Sequence, residues 1–97
     1  MKKTILVIYT NEVRKEKKDD KRYCFSTDSE VKKGDLLKSQ SYTTNMMVVD
    51  VVEKEFKYYS AVTGEMSNEL NSTTQREIKS LRVIESIDEE VLATKLN

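Results

Sequence analysis

The chain has no histidine, no proline, a single cysteine and only two glycines. Without histidine, the Ser–His–Asp and Cys–His arrangements that activate a nucleophile cannot be built. With Cys24 alone and no histidine, zinc sites of the common Cys/His type are excluded too. One cysteine cannot close an intrachain disulfide, which fits a reducing compartment, so a cytoplasmic location is expected. No apolar run approaches the ~20 residues of a membrane helix, so no membrane partner is expected. An excess of either charge is also missing. The 17 Lys/Arg are matched by 17 Asp/Glu, for a formal net charge of zero. That argues against general coating of nucleic acid, which normally needs a basic excess. Neither Asp19–Asp20 nor Asp88–Glu89–Glu90 has calcium-loop spacing. No metal ligand set, cofactor site or catalytic residue is assigned, and the protein is expected not to be an enzyme.

The 97 residues allow one domain, spanning 1–97. The chain is 37% hydrophobic and 35% charged, as suits a globular protein. Its charges are not evenly spread. Residues 1–40 carry eleven Lys/Arg and seven Asp/Glu, and residues 41–97 carry six and ten, so the halves are +4 and −4.

Apolar residues follow a period of two along most of the chain. The opening MKKTILVIYTNE imitates a secretion signal, but its apolar run Ile5–Tyr9 is only five residues long, short of the roughly 7–15 of such signals. It reads instead as a central strand, 4–10, apolar on both faces. KRYCFST predicts a strand over 21–27, with Tyr23 and Phe25 on one face and Arg22, Cys24 and Ser26 on the other. Further strands are expected at 36–39, 46–54, 57–62 and 78–85, the last with a helix as its rival reading. In MMVVDVVEK, Met47, Val49 and Val51 form one row. Met46, Val48 and Val52 form the other, interrupted by Asp50, which suggests an edge or a bulge. Gly34 and Gly64 sit at predicted turns. Ser67–Glu77 reads as an exposed loop. The last segment changes period: Ser86 and Glu89 match a capping box, and Ile87, Val91, Leu92 and Leu96 share one side of a helix expected over 87–96.

This layout predicts a mainly β fold, a small antiparallel SH3-like barrel of five or six strands with a short C-terminal helix. An open α+β sheet with one helix is the runner-up. The segment FSTDSEVKKGDLLKSQSYTTNMMVVDVVEK resembles small SH3-like barrels of phage and mobile-element proteins, and the N-terminal barrel of the bacterial primosomal helicase. The Val-Lys-x-Gly-Asp turn at Val31–Asp35 and the valine-rich strand after it carry the likeness, over about a third of the chain. The resemblance implies the fold and a mobile-element origin. It implies no binding residues, because the helicase barrel's glycine- and arginine-rich stretch is replaced here by KSQSYTTN.

Two constellations suggest binding. Arg14, Lys15, Lys17, Lys18, Lys21 and Arg22 crowd into nine positions with Glu16, Asp19 and Asp20. Bounded by two strands, the run reads as a solvated hairpin tip first and a phosphate-contacting element second. It contains no aromatic residue to stack on bases. Tyr58 and Tyr59 are consecutive, so one of them must face away from the core. Beside Tyr42 it would form a platform for a partner. The Lys21 and Arg22 charges would activate Cys24 if close in space, but a buried strand cysteine is the commoner arrangement. The composite expectation is a non-enzymatic binding module that docks onto a protein partner. Nucleic-acid binding through Arg14–Arg22 is the alternative, and a structural, oligomerising subunit is the third reading. The oligomeric state itself is not legible in the sequence.

Overall fold

Two rows of apolar side chains on each of two strands demand a cover on both sides, and the architecture supplies it. A computed structural model describes residues 2–39, 42–70 and 81–87. They form eight strands: β1 (Lys3–Tyr9), β2 (Tyr23–Thr27), β3 (Leu36–Leu37), β4 (Met46–Val52), β5 (Tyr58–Ser60), β6 (Met66–Ser67), β7 (Leu81–Val83) and β8 (Glu85–Ser86). The protein is mainly β. Five strands make one sheet in the order β3-β4-β1-β2-β8, and three make a second in the order β6-β5-β7.

The strand β1 lies at the centre of the larger sheet, with five consecutive buried residues. Ile5 and Val7 point into a first core with Val31, Leu37, Met46, Val48 and Ile87. Leu6 and Ile8 point into a second with Cys24, Leu36, Met47, Val49, Tyr59 and Ile84. The smaller sheet supplies Tyr59 to this second core. The Thr4 hydroxyl is fully buried between strands. It donates to the Lys54 carbonyl at 2.7 Å and accepts from the Phe56 N–H at 3.2 Å, tying the start of β1 to the β4–β5 connection.

A bulge corrects one expectation about β4. Leu6 is opposite Asp50, yet Val7 is opposite Val48, so Val49 is the extra residue. Side chains alternate with a period of two, and one inserted residue exchanges the faces beyond it. Val51 therefore packs with Met46 and Val48 against the first core, not in a row with Met47 and Val49. The same shift moves Asp50 off the face of the first core and leaves it exposed.

Other boundaries differ from the sequence reading. The third strand is shorter than expected, and so is the fifth, which ends before Val62, a turn residue that is 70% exposed. Of the expected last strand, 78–80 lie outside the described residues, and the remainder divides at buried Ile84 into β7, in the smaller sheet, and β8, in the larger. Strand β8 runs parallel to β2. It arrives from the other sheet rather than from a hairpin, so nothing forces it to be antiparallel. Among the described residues the strands form two sheets, and the ladder does not close into a barrel. The expected loop at Ser67–Glu77 begins with Ser67 paired in β6; Asn68–Leu70 are exposed, and 71–77 lie outside the described residues. The expected helix also falls outside them, except for Ile87, which is buried in the first core and donates its N–H to the Ser26 carbonyl. Both glycine turns are present, with φ of 96° at Gly34 and 73° at Gly64.

Candidate binding groove

Strands β1 and β2 pair as an antiparallel hairpin, with Val7 opposite Tyr23. The charged run lies in the long connection between them, as its flanking strands predicted. Its arginines are not free to grip a ligand. Arg14 donates to both carboxylate oxygens of Asp20, at 2.8 and 2.9 Å. Arg22 donates to both oxygens of Glu16, at 2.6 Å each. Asp20 also accepts the Lys17 N–H at 2.7 Å. The Arg14 guanidinium, and after it that N–H, hold the Asp20 carboxyl well below the usual carboxylate range. Arg22 lowers Glu16 in the same way. The loop is thus stapled by its own acids. Lys15, Lys17, Lys18 and Lys21 are exposed and make no ion pair among the described residues.

The tyrosines take a different arrangement from the expected one. Tyr59 is buried in the second core at 4% exposure, and Tyr58 is half-buried. Neither meets Tyr42. Tyr42 is 63% exposed and packs edge-to-face on Tyr9, with ring centroids 5.1 Å apart. Tyr9 in turn packs edge-to-face on Tyr23 at 4.9 Å. The Arg82 guanidinium lies 5.3 Å from the Tyr23 ring centroid. Ser39 holds the group together: its hydroxyl accepts the Tyr42 N–H at 3.2 Å, and its side chain hydrogen-bonds Tyr9. Burial pushes the Tyr9 phenol up, with the Ser39 hydrogen bond opposing it.

These side chains line adjoining cavities. One of about 230 Å³ lies among Tyr9, Tyr23, Tyr42 and Thr44. A second, of about 420 Å³, shares the three tyrosines and reaches Arg82, Val83 and Glu85. A third, of about 540 Å³, shares Tyr23 and Arg82 and runs on to Lys18, Lys21 and the Ala61–Gly64 turn. The second cavity shares residues with both of the others, so the three adjoin as a candidate groove with a tyrosine end and a basic end. No protein-family model, curated protein or solved structure matches the chain.

The sequence reading found Tyr42, Lys18 and Lys21, and missed Tyr9, Tyr23 and Arg82. A signal for two of these was present. Tyr9 and Tyr23 flank the charged loop, and a hairpin that aligns Val7 with Tyr23 places Tyr9 diagonally beside it on the same face. No local pattern marks Arg82, which reaches Tyr23 from the other sheet.

Cys24 lines the middle cavity but is not activated. Burial pushes its thiol up to about 12, and neither Lys21 nor Arg22 offsets this. Thiolate is the reacting form, so alkylation at pH 8 should be negligible in the native protein and rapid in denaturant. Fast native labelling would contradict this burial. The unfolded thiol ionises near its ordinary value and the folded one does not. Stability from this group is therefore complete below that value and declines as pH rises from there toward 12. Among the described residues no group of acidic and thiol side chains is placed to hold a metal ion, and no helix is long and apolar enough to cross a membrane.

Proposed function

We propose that the protein is a non-enzymatic binding module that docks onto a protein partner through the tyrosine groove. The observation that carries this reading is the edge-to-face group Tyr9, Tyr23 and Tyr42, with Arg82 on its flank. Tyrosine and arginine are the side chains that most often dominate interface energy. Tyr42 offers its ring to solvent while Ser39 holds its backbone, so little entropy is lost when it is covered. The mobile-element kinship and the small-barrel likeness with a C-terminal helix belong to the same proposal. They rest on the Val31–Asp35 turn, on the valine-rich strand that follows it and, for the helix, on the Ser86 and Glu89 capping pattern. A cytoplasmic location is proposed from the lone, buried thiol.

Capture from a host lysate with the intact chain, alongside Tyr42→Ala, tests the reading. A discrete protein should be retained by the natural chain and weakened more than about tenfold by the substitution. Equal capture by both would refute the role of the groove.

A second reading, nucleic-acid binding, is favoured by the four lysines of the charged loop, which make no ion pair among the described residues. Oligonucleotide binding that falls steeply with salt, and is lost in Lys17→Glu/Lys18→Glu, would support it. An affinity unchanged by the double substitution would remove it.

A further inference from the structure

The groove has a distinct chemistry at each end. At the tyrosine end, Tyr9 stands at 73° to Tyr23 and 77° to Tyr42. The three rings form the walls of a slot rather than a row of parallel platforms, and Tyr42 alone among them is largely exposed. A run of bases needs successive open ring faces. A slot suits one apolar side chain.

At the other end lie Arg82, Lys21 and Lys18. All three are exposed, and none has an acidic partner within ion-pair distance among the described residues. Arg14 and Arg22, by contrast, are each closed onto a carboxylate. Arg82 rests over the Tyr23 ring, and that contact orients the guanidinium while its N–H edges stay open to a carboxylate. Asp19, Asp20 and Glu85 also line the walls, so the basic end has only a modest excess of positive charge. That is enough for a few carboxylates and weak for a polyphosphate backbone in a protein of zero net charge.

We propose that the groove takes an extended acidic peptide segment of the partner, with one apolar or aromatic side chain seated among Tyr9, Tyr23 and Tyr42 and carboxylates against Arg82, Lys21 and Lys18. Same-face side chains of an extended chain lie ~7 Å apart. A carboxylate two residues from the anchor therefore reaches Arg82, which is 5.3 Å from the Tyr23 ring. This inference rests on the protein-binding reading of the groove.

The test is fluorescence anisotropy of the intact chain with three labelled probes: a short peptide of alternating acidic residues around one phenylalanine, the same peptide with lysine for each acid, and oligothymidylate. The acidic peptide should bind in a salt-sensitive manner and the lysine peptide at least about tenfold more weakly. Arg82→Glu and Tyr42→Ala should each weaken the acidic peptide by about tenfold or more. Both side chains are exposed, and an unchanged melting temperature in each variant shows that the fold is intact. Equal binding of the two peptides, binding of neither, or no effect of Arg82→Glu overturns the proposal. Tight binding of oligothymidylate without the acidic peptide overturns it in favour of nucleic acid. A captured protein that depends on Tyr42 but is not displaced by excess acidic peptide overturns the acidic-segment inference and leaves the binding-module reading standing.

Discussion

Ile5→Ala should cost about 3 kcal/mol or more, within the range for emptying a packed aliphatic site. Ile5 is fully buried at the middle of the central strand, opposite Phe25 on one neighbour and Val51 on the other. Its methyl groups fill the first core with Val7, Leu37, Met46 and Val48. Backbone ladders on both sides hold β1 in place, so the cavity cannot collapse cheaply. A domain of this size commonly has only about 5–10 kcal/mol in total. The melting temperature should therefore fall by roughly 10–20 °C. Urea unfolding of both chains checks this. A loss below about 1 kcal/mol would mean that the first core is loosely packed around Ile5.

The second large effect separates two tyrosines that look equivalent in the sequence. Tyr59→Ala should cost about 3–5 kcal/mol, as for other buried aromatics. Its ring is part of the second core with Leu6, Ile8, Met47 and Ile84, where the smaller sheet joins the larger. Removing it loosens the union of the two sheets. Tyr42→Ala should change stability by no more than about 0.5 kcal/mol, because most of that ring already faces water. Thermal melts of the two variants side by side decide the matter. A large loss in both would place Tyr42 in the structural core and leave the groove without its exposed anchor.

Much of the fold was legible because strand faces leave a mark with a period of two. TILVIY reads as a doubly covered central strand, and the structure buries its alternate residues in two cores. VKKGD reads as a turn, and Gly34 takes the left-handed conformation there. The charged run between β1 and β2 reads as a hairpin connection, and it is one. The failures have a common cause. The bulge at Val49 depends on how β4 aligns with β1, so no count along β4 alone reveals that Val51 changes face. The division of the last strand depends on Ile84 finding the second core, with β7 in one sheet and β8 in the other. Neither event alters the local pattern.

The groove was legible only in part, for the same reason. Tyr42 was singled out, but its expected companions were chosen by adjacency in the chain. Tyr58 and Tyr59 belong to the smaller sheet, and Tyr59 turns inward. Tyr42 meets Tyr9, which meets Tyr23; these two flank the loop of the first hairpin, and Arg82 joins them from a strand almost sixty positions beyond Tyr23. The charged loop carried the opposite lesson. Six basic residues in nine positions look like a ligand grip, yet Glu16 and Asp20 lie six positions from the arginines they neutralise. Only a loop folded back on itself brings such pairs together.

By itself the sequence determined a small, mainly β domain with no histidine chemistry, no intrachain disulfide and balanced charge. Composition and a period of two are local properties, and they survive in any arrangement of the strands. The tertiary structure decided which tyrosine is core and which is surface, which cations are paired, and where a groove opens. Those outcomes depend on strand register and on two sheets meeting, and both are set by contacts between residues far apart in the chain.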